Sequence, residues 1–138
     1  MSETPERLAQ CCCGDLTART TGDPASVVMC SCTMCQRRSG SAFAHSSYWA
    51  QEQVTVAGPS QCFARVSARG RRFEHFFCPG CGTAVWYRGE HRPGMIGISA
   101  GCFADPDFPA PTVAVWDTTR HAWLDDIADI PRLAEQRT

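Results

Sequence analysis

The sequence predicts a mainly β fold of sheets joined by short helical turns, on three observations. Stretches of apolar and polar alternation recur along the chain, glycine and proline turns fall between them, and helix-forming runs are scarce. The first alternating stretch, Ser26–Cys30, follows the turn sequence Gly22-Asp23-Pro24. Phe43–Tyr48 and Gln53–Val56 come next, and Gly58-Pro59 ends the second of them. Gln61–Ser67 and Phe73–Phe77 lie on either side of Arg69-Gly70. Ala84–Tyr87 follows Pro79-Gly80, Met95–Ser99 follows Arg92-Pro93-Gly94, and Thr112–Trp116 comes after Asp105-Pro106-Asp107. Helix is expected at Gln36–Ser39 and Pro131–Gln136, each one or two turns long.

With no internal repeat, low-complexity tract or long linker, residues 1–138 read as a single domain. A hydrophobic fraction of 43% beside 20% charged residues is that of a soluble globular chain. Charges nearly cancel, 13 Lys+Arg against 14 Asp+Glu, which removes the uniformly basic surface that nucleic acid or an anionic membrane would attract. The longest uncharged run that suggests a membrane span, between Pro93 and Ala104, is broken by three glycines and falls short of the roughly 18 residues needed. The start, MSETPERLAQ, has acidic Glu3 and Glu6 and no apolar run, so a secretory signal is not expected and the cytoplasm is the expected compartment.

The unusual feature is 10 cysteines. In a reducing compartment, cysteines at short regular spacings point to metal ligation or reactive thiols rather than disulfides. Cys11 and Cys13 are two apart, so an extended segment would send both side chains from one face. Cys78-Pro79-Gly80-Cys81-Gly82 is a C-x-x-C turn whose glycines let two thiolates converge. Two and two make a closed set of four cysteines, the ligand count of a structural zinc site. The spacing leaves a second pairing open, in which Cys78 or Cys81 completes the central cluster and the first pair is left short.

That central cluster, Cys30-Ser31-Cys32-Thr33-Met34-Cys35, places three sulfurs in six residues. Three protein ligands leave one zinc position free, which is the catalytic arrangement. Three thiolates also give the metal a net negative charge and make it a poor Lewis acid for hydrolysis. The site better suits an incoming thiol, which loses its proton on coordination and is held as a thiolate beside an electrophilic carbon.

Taken together, C-x-C-G at Cys11–Gly14, C-x-C-x-x-C-x-R-x-S-G at Cys30–Gly40, F-C-P-x-C-G-T at Phe77–Thr83, and Trp116 with Trp123 resemble the glutathione-dependent formaldehyde-activating enzyme and centromere protein V family over about residues 8–125. The resemblance implies an Mss4-like fold of antiparallel β-sheets and two zinc ions per chain. It implies a structural zinc on Cys11, Cys13, Cys78 and Cys81, and a catalytic zinc on Cys30, Cys32 and Cys35. The activity it implies is the carbon–sulfur lyase condensation of formaldehyde with glutathione to S-hydroxymethylglutathione. One position departs: Ser31 stands where the family commonly has histidine, and serine lacks an imidazole's capacity for proton transfer.

Glutathione has two carboxylates, and Arg37 and Arg38 directly follow the third thiolate as candidate partners; Arg65, Arg69, Arg71 and Arg72 form a second basic cluster. Cys12 is expected on the opposite face of the extended first segment, as core residue or spectator. Cys62 and Cys102 are expected to be buried small hydrophobes, and Trp49, Trp86, Trp116 and Trp123 core aromatics, one of which could line the pocket. Among the four histidines, His45 is the candidate for proton transfer. Two other function classes fit parts of the pattern: a non-catalytic zinc-binding interaction module, and a methionine sulfoxide reductase-type redox enzyme. The first would call for a basic arm. The second would hold its zinc on two C-x-x-C turns, whereas here the first pair is C-x-C.

Overall fold

The computed structural model describes residues 4–136. Its strands are β1 (Glu6–Gln10), β2 (Thr17–Thr21), β3 (Ser26–Cys30), β4 (Ala44–Ala50), β5 (Val54–Ala57), β6 (Gln61–Val66), β7 (Arg72–Phe77), β8 (Ala84–Gly89), β9 (Met95–Ser99) and β10 (Val113–Val115). A helix, α1 (Thr33–Ser39), connects β3 to β4. Strands β1, β2 and β5 make a three-stranded sheet, and the rest a seven-stranded sheet in the order β10-β3-β4-β9-β8-β7-β6. Pairing is antiparallel except at one end, where β10 runs parallel to β3 with Val113 opposite Val28 and Val115 opposite Cys30. A fold of antiparallel sheets is thus correct apart from this one parallel edge.

The core is shared between the sheets. Ala9 and Ala18 enter from the smaller sheet, Trp49, Val85 and Ile98 from the larger, and Cys11 and Cys78 are packed among them. Strand β4 shows how alternation divides the two faces. His45, Ser47 and Trp49 lie on one face, where the Trp49 indole N–H donates to Ser47 Oγ at 2.9 Å and the serine hydroxyl donates to Ile98 O at 3.0 Å. Ser46 and Tyr48 lie on the other, toward the cavity described below.

Each of the eight expected stretches is a strand, with ends shifted by no more than two residues. Strands β1 and β2 were not expected. Their sequences, ERLAQ and TARTT, bury only Ala9, Ala18 and Thr20, so despite the threonines of β2 neither shows the alternation of large apolar and polar residues that marks a strand. The helix begins three residues before the expected Gln36, because Cys32 caps it: Cys32 Sγ accepts from the Cys35 N–H at 3.3 Å. The expected helix at Pro131–Gln136 does not form. That segment is exposed, and two turns without a face to pack on are below the length at which helix is stable in water. Among the described residues no helix is long and apolar enough to cross a membrane.

Candidate metal centres and the cavity beside one of them

Four cysteines from two turns meet at the edge of the core. Cys11 and Cys13 belong to the turn between β1 and β2, and Cys78 and Cys81 to the turn between β7 and β8. All four sulfurs lie within 4.8 Å of one another, and Cys13 Sγ is 3.6 Å from both Cys11 Sγ and Cys78 Sγ. Thiolates on a tetrahedral zinc at about 2.3 Å stand about 3.8 Å apart, so this spacing fits a metal. A disulfide would need about 2.05 Å. The grouping also decides the pairing in favour of two separate clusters, since Cys78 and Cys81 lie with the first pair and not with the central triplet.

The local backbone differs from the extended segment expected at Cys11–Cys13. It is a tight turn, with the Gly14 N–H donating to Cys11 O at 3.1 Å and Gly14 at φ +85°. Gly82 plays the same part in the other turn, at φ +79° with its N–H donating to Cys78 O at 2.7 Å; both are left-handed positions that cost a residue with a Cβ. Backbone donors serve the cluster as well: the Leu16 N–H points at Cys11 Sγ at 3.3 Å. Hydrogen bonding to the Thr83 side chain, 3.3 Å away, and to its backbone holds the Cys81 thiol down at about 5, where it is a thiolate at neutral pH. Because the segment turns, Cys12 is exposed rather than packed on an opposite face, and its N–H donates to Thr83 Oγ1 at 3.2 Å, tying the two turns together.

The second cluster is built at the junction of β3 and α1. Cys30 ends the strand, Cys32 caps the helix and Cys35 occupies its first turn, bringing three sulfurs within 4.8 Å. Cys30 and Cys35 shift each other's pKa in opposite directions. The hydrogen bond from Cys30 pulls the Cys35 thiol down to about 5 against the cost of burial, and the charge of Arg38 adds to the effect. The same bond, with burial, pushes Cys30 up. The donor set, three thiolates with no fourth protein ligand in the cluster, fits a zinc with one position free.

These sulfurs lie in a cavity of about 430 Å³. Strand β10 and Trp116 wall one side, the β6–β7 hairpin another, and His91 and Arg92 close a third. Six arginines line it, Arg38, Arg65, Arg69, Arg71, Arg72 and Arg92, and no Asp or Glu does. Arg38 contacts one of the sulfurs. Its Nη2 lies 3.7 Å from Cys35 Sγ, and its guanidinium sits 4.2 Å from the centre of the buried Tyr87 ring.

Of the two arginines singled out in sequence, the structure brings Arg38 to the sulfurs and leaves Arg37 exposed, with its Nη1 3.8 Å from Met34 Sδ. The second basic cluster, Arg65 to Arg72, is a wall of the cavity. His45 lies on the other face of β4 from the cavity, edge-on to Phe108. The imidazole in the cavity is that of His91, whose Nε2 is 3.3 Å from the Tyr48 hydroxyl; partial burial and then the charges of Arg92, Arg71 and Arg65 lower its pKa. Sequence reasoning missed His91 and Tyr48, although the alternation of β4 assigns Tyr48 and Ser46 to one face. Cys62 is exposed, not buried, on the edge strand β6; Cys102 packs against the core as expected. Trp49 and Trp86 are packed, but Trp123 is exposed and Trp116 lies half-exposed at the cavity wall, its backbone at φ +54°.

Comparison with known proteins agrees with the geometry. The family model described as glutathione-dependent formaldehyde-activating enzyme matches residues 6–119. A crystal structure of a Rhodobacter sphaeroides protein is similar in fold, with a TM-score of 0.58 at 19% identity over 78% of this chain and 98% of that one. No curated protein matches. The match spans most of the chain and both cysteine clusters, and the chain therefore belongs to the glutathione-dependent formaldehyde-activating enzyme family.

Proposed function

We propose that this protein is a zinc-dependent carbon–sulfur lyase of the cytoplasm that joins a thiol, glutathione, to formaldehyde or another small electrophile. The observation that supports it best is the placement of three sulfurs, with no fourth protein ligand among them, inside an arginine-lined cavity. In this reading the Cys11, Cys13, Cys78 and Cys81 set holds a structural zinc and the Cys30, Cys32 and Cys35 set a second, catalytic one. Zinc bound by three thiolates would supply an open position that favours the thiolate form of an incoming thiol.

The chain's own residues supply the rest. Glutathione's carboxylates are several bonds from its sulfur, so they fall to arginines farther from the sulfurs, Arg65, Arg69, Arg71 and Arg92. Arg37, which faces solvent, is outside this set. His91 is held toward its neutral form, so its imidazole is free to take the thiol proton and return it to the oxygen that forms on the aldehyde carbon, with the Tyr48 hydroxyl as its hydrogen-bond partner. Ser31 has no such capacity: it is buried, and its carbonyl serves as an acceptor within the loop.

Metal analysis is expected to give two zinc ions per chain, and exchange NMR of glutathione with formaldehyde a hemithioacetal forming faster than without protein. A single zinc, or an unchanged rate at full zinc loading, would sink the proposal.

A further inference from the structure

The charge in the cavity exceeds what glutathione can use. Arg72 is paired with Glu74 at 3.3 Å, but Arg38, Arg65, Arg69, Arg71 and Arg92 have no carboxylate partner among the described residues. Two carboxylates engage two of these five guanidiniums, and the ammonium of glutathione finds no acidic side chain in the lining to receive it. Matched one to one, three guanidiniums remain without a carboxylate, and the three sulfurs offset the charge of the one beside them, Arg38, only in part.

One of them sits at the reacting atoms. Arg38 Nη2 contacts Cys35 Sγ, its buried Nε has no hydrogen-bond partner, and the faces of Tyr87 and Phe73, 4.2 and 5.7 Å from its guanidinium carbon, fix the side chain in place. Both glutathione carboxylates are separated from its sulfur by a peptide bond, so neither is fixed beside the reacting atom. A carboxylate attached to the aldehyde carbon itself is one bond from the reacting atom.

We propose that the electrophile is a small aldehyde bearing a carboxylate, a 2-oxo acid of the glyoxylate type, with its carboxylate held by Arg38. This rests on the thiol reaction proposed above and narrows its second substrate. The step is an addition: the thiol sulfur bonds to the aldehyde carbon, the carbonyl π pair moves to oxygen, and the proton given up by the thiol ends on that oxygen. The product is a 2-hydroxy-2-thio acid, and nothing is oxidised or expelled.

The test uses zinc-loaded protein, glutathione as the thiol, and glyoxylate, acetaldehyde and formaldehyde as electrophiles, read by exchange NMR. Enzyme-catalysed kcat/KM is expected to be at least tenfold higher for glyoxylate than for acetaldehyde, each relative to its uncatalysed rate. Arg38→Met should bring that ratio toward one. Glycolate, which has the carboxylate but cannot react, should bind the zinc-loaded protein and bind at least tenfold more weakly to Arg38→Met. Equal catalysis of the neutral and anionic aldehydes, a ratio unmoved by Arg38→Met, or no glycolate binding overturns the proposal. If no aldehyde turns over while glycolate binds through Arg38, the thiol reaction has failed and only the carboxylate subsite survives.

Discussion

His121 Nε2 lies 2.9 Å from Gln36 Oε1, joining two residues 85 positions apart in the chain. The Trp123 indole N–H donates to His121 Nδ1 at 3.2 Å, so the imidazole proton sits on Nε2 and is donated to Gln36. Gln36 in turn donates to Ser31 O at 2.8 Å and to Thr119 O at 3.1 Å. The C-terminal segment is thereby fastened to the loop that holds the three sulfurs. Gln36→Leu is expected to lower stability by about 0.5–1.5 kcal/mol, since it removes hydrogen bonds at a partly exposed loop while Ser31 O keeps its bond from Thr119. It should also speed loss of one zinc to a chelator and leave the other unchanged; equal acceleration of both would show that the fastening is not specific to the central cluster.

Gly97 faces the aromatic support of Arg38. A Cβ there would collide with the Tyr87 ring and stand 3.0 Å from Tyr48 Cε1. Gly97→Ala is expected to cost about 1–3 kcal/mol in thermal or chemical unfolding, as overpacking does. Because the displaced Tyr87 ring supports Arg38, thiol turnover should fall more than stability alone explains at a temperature where the variant is fully folded.

Outside the clusters, Cys12 and Cys62 are exposed, while burial pushes the Cys102 thiol up to about 11. A raised thiol pKa means less thiolate at a given pH, roughly one part in a thousand at pH 8. With zinc bound, iodoacetamide at pH 8 should label Cys12 and Cys62 and spare Cys102, by peptide mass spectrometry. Labelling of Cys102 should climb about tenfold per pH unit as pH approaches 11.

Burial lowers the pKa of His45 and of His75, the latter also through the charges of Arg38 and Arg65. One ring nitrogen of each is buried without a partner, Nε2 of His45 and Nδ1 of His75. The unfolded chain therefore takes up protons near pH 6.5 that the folded one resists. Their contribution is fully present above that pH and is lost as pH falls toward the depressed folded values. The unfolding midpoint should drop between pH 7 and pH 5, and His75→Gln should flatten that slope.

The sequence made the cysteine groups more legible than the scaffold that positions them. Cysteine spacing is a local property, so the pair Cys11 and Cys13, the triplet Cys30, Cys32 and Cys35, and the pair Cys78 and Cys81 were readable; the spacing left open which of them join, and that is decided by the contact of two turns 65 residues apart. Alternation exposed the strands that bury large side chains and hid β1 and β2, which bury alanine and threonine. Arg37 and Arg38 are adjacent and chemically identical; the helix phase of α1 separates them, turning Arg38 toward Tyr87 and Arg37 to solvent. His91 and Tyr48 meet only because β4 and the loop after β8 converge in the folded sheet, which no local pattern encodes.

The parallel pairing of β10 with β3 sets an order of assembly. The four-cysteine cluster closes once Cys78 and Cys81 can reach Cys11 and Cys13, with the first two-thirds of the chain in place. The loop of the three-cysteine cluster waits for Val115, whose carbonyl receives the Ser31 N–H at 3.1 Å, and for Thr119, whose hydroxyl donates to Ser31 O at 2.7 Å across 88 residues. Contacts of that separation pay their loop-closure entropy late. During synthesis the chain thus brings its four-cysteine cluster together before the wall beside its three-cysteine cluster, and the cavity is completed only when the last strand docks.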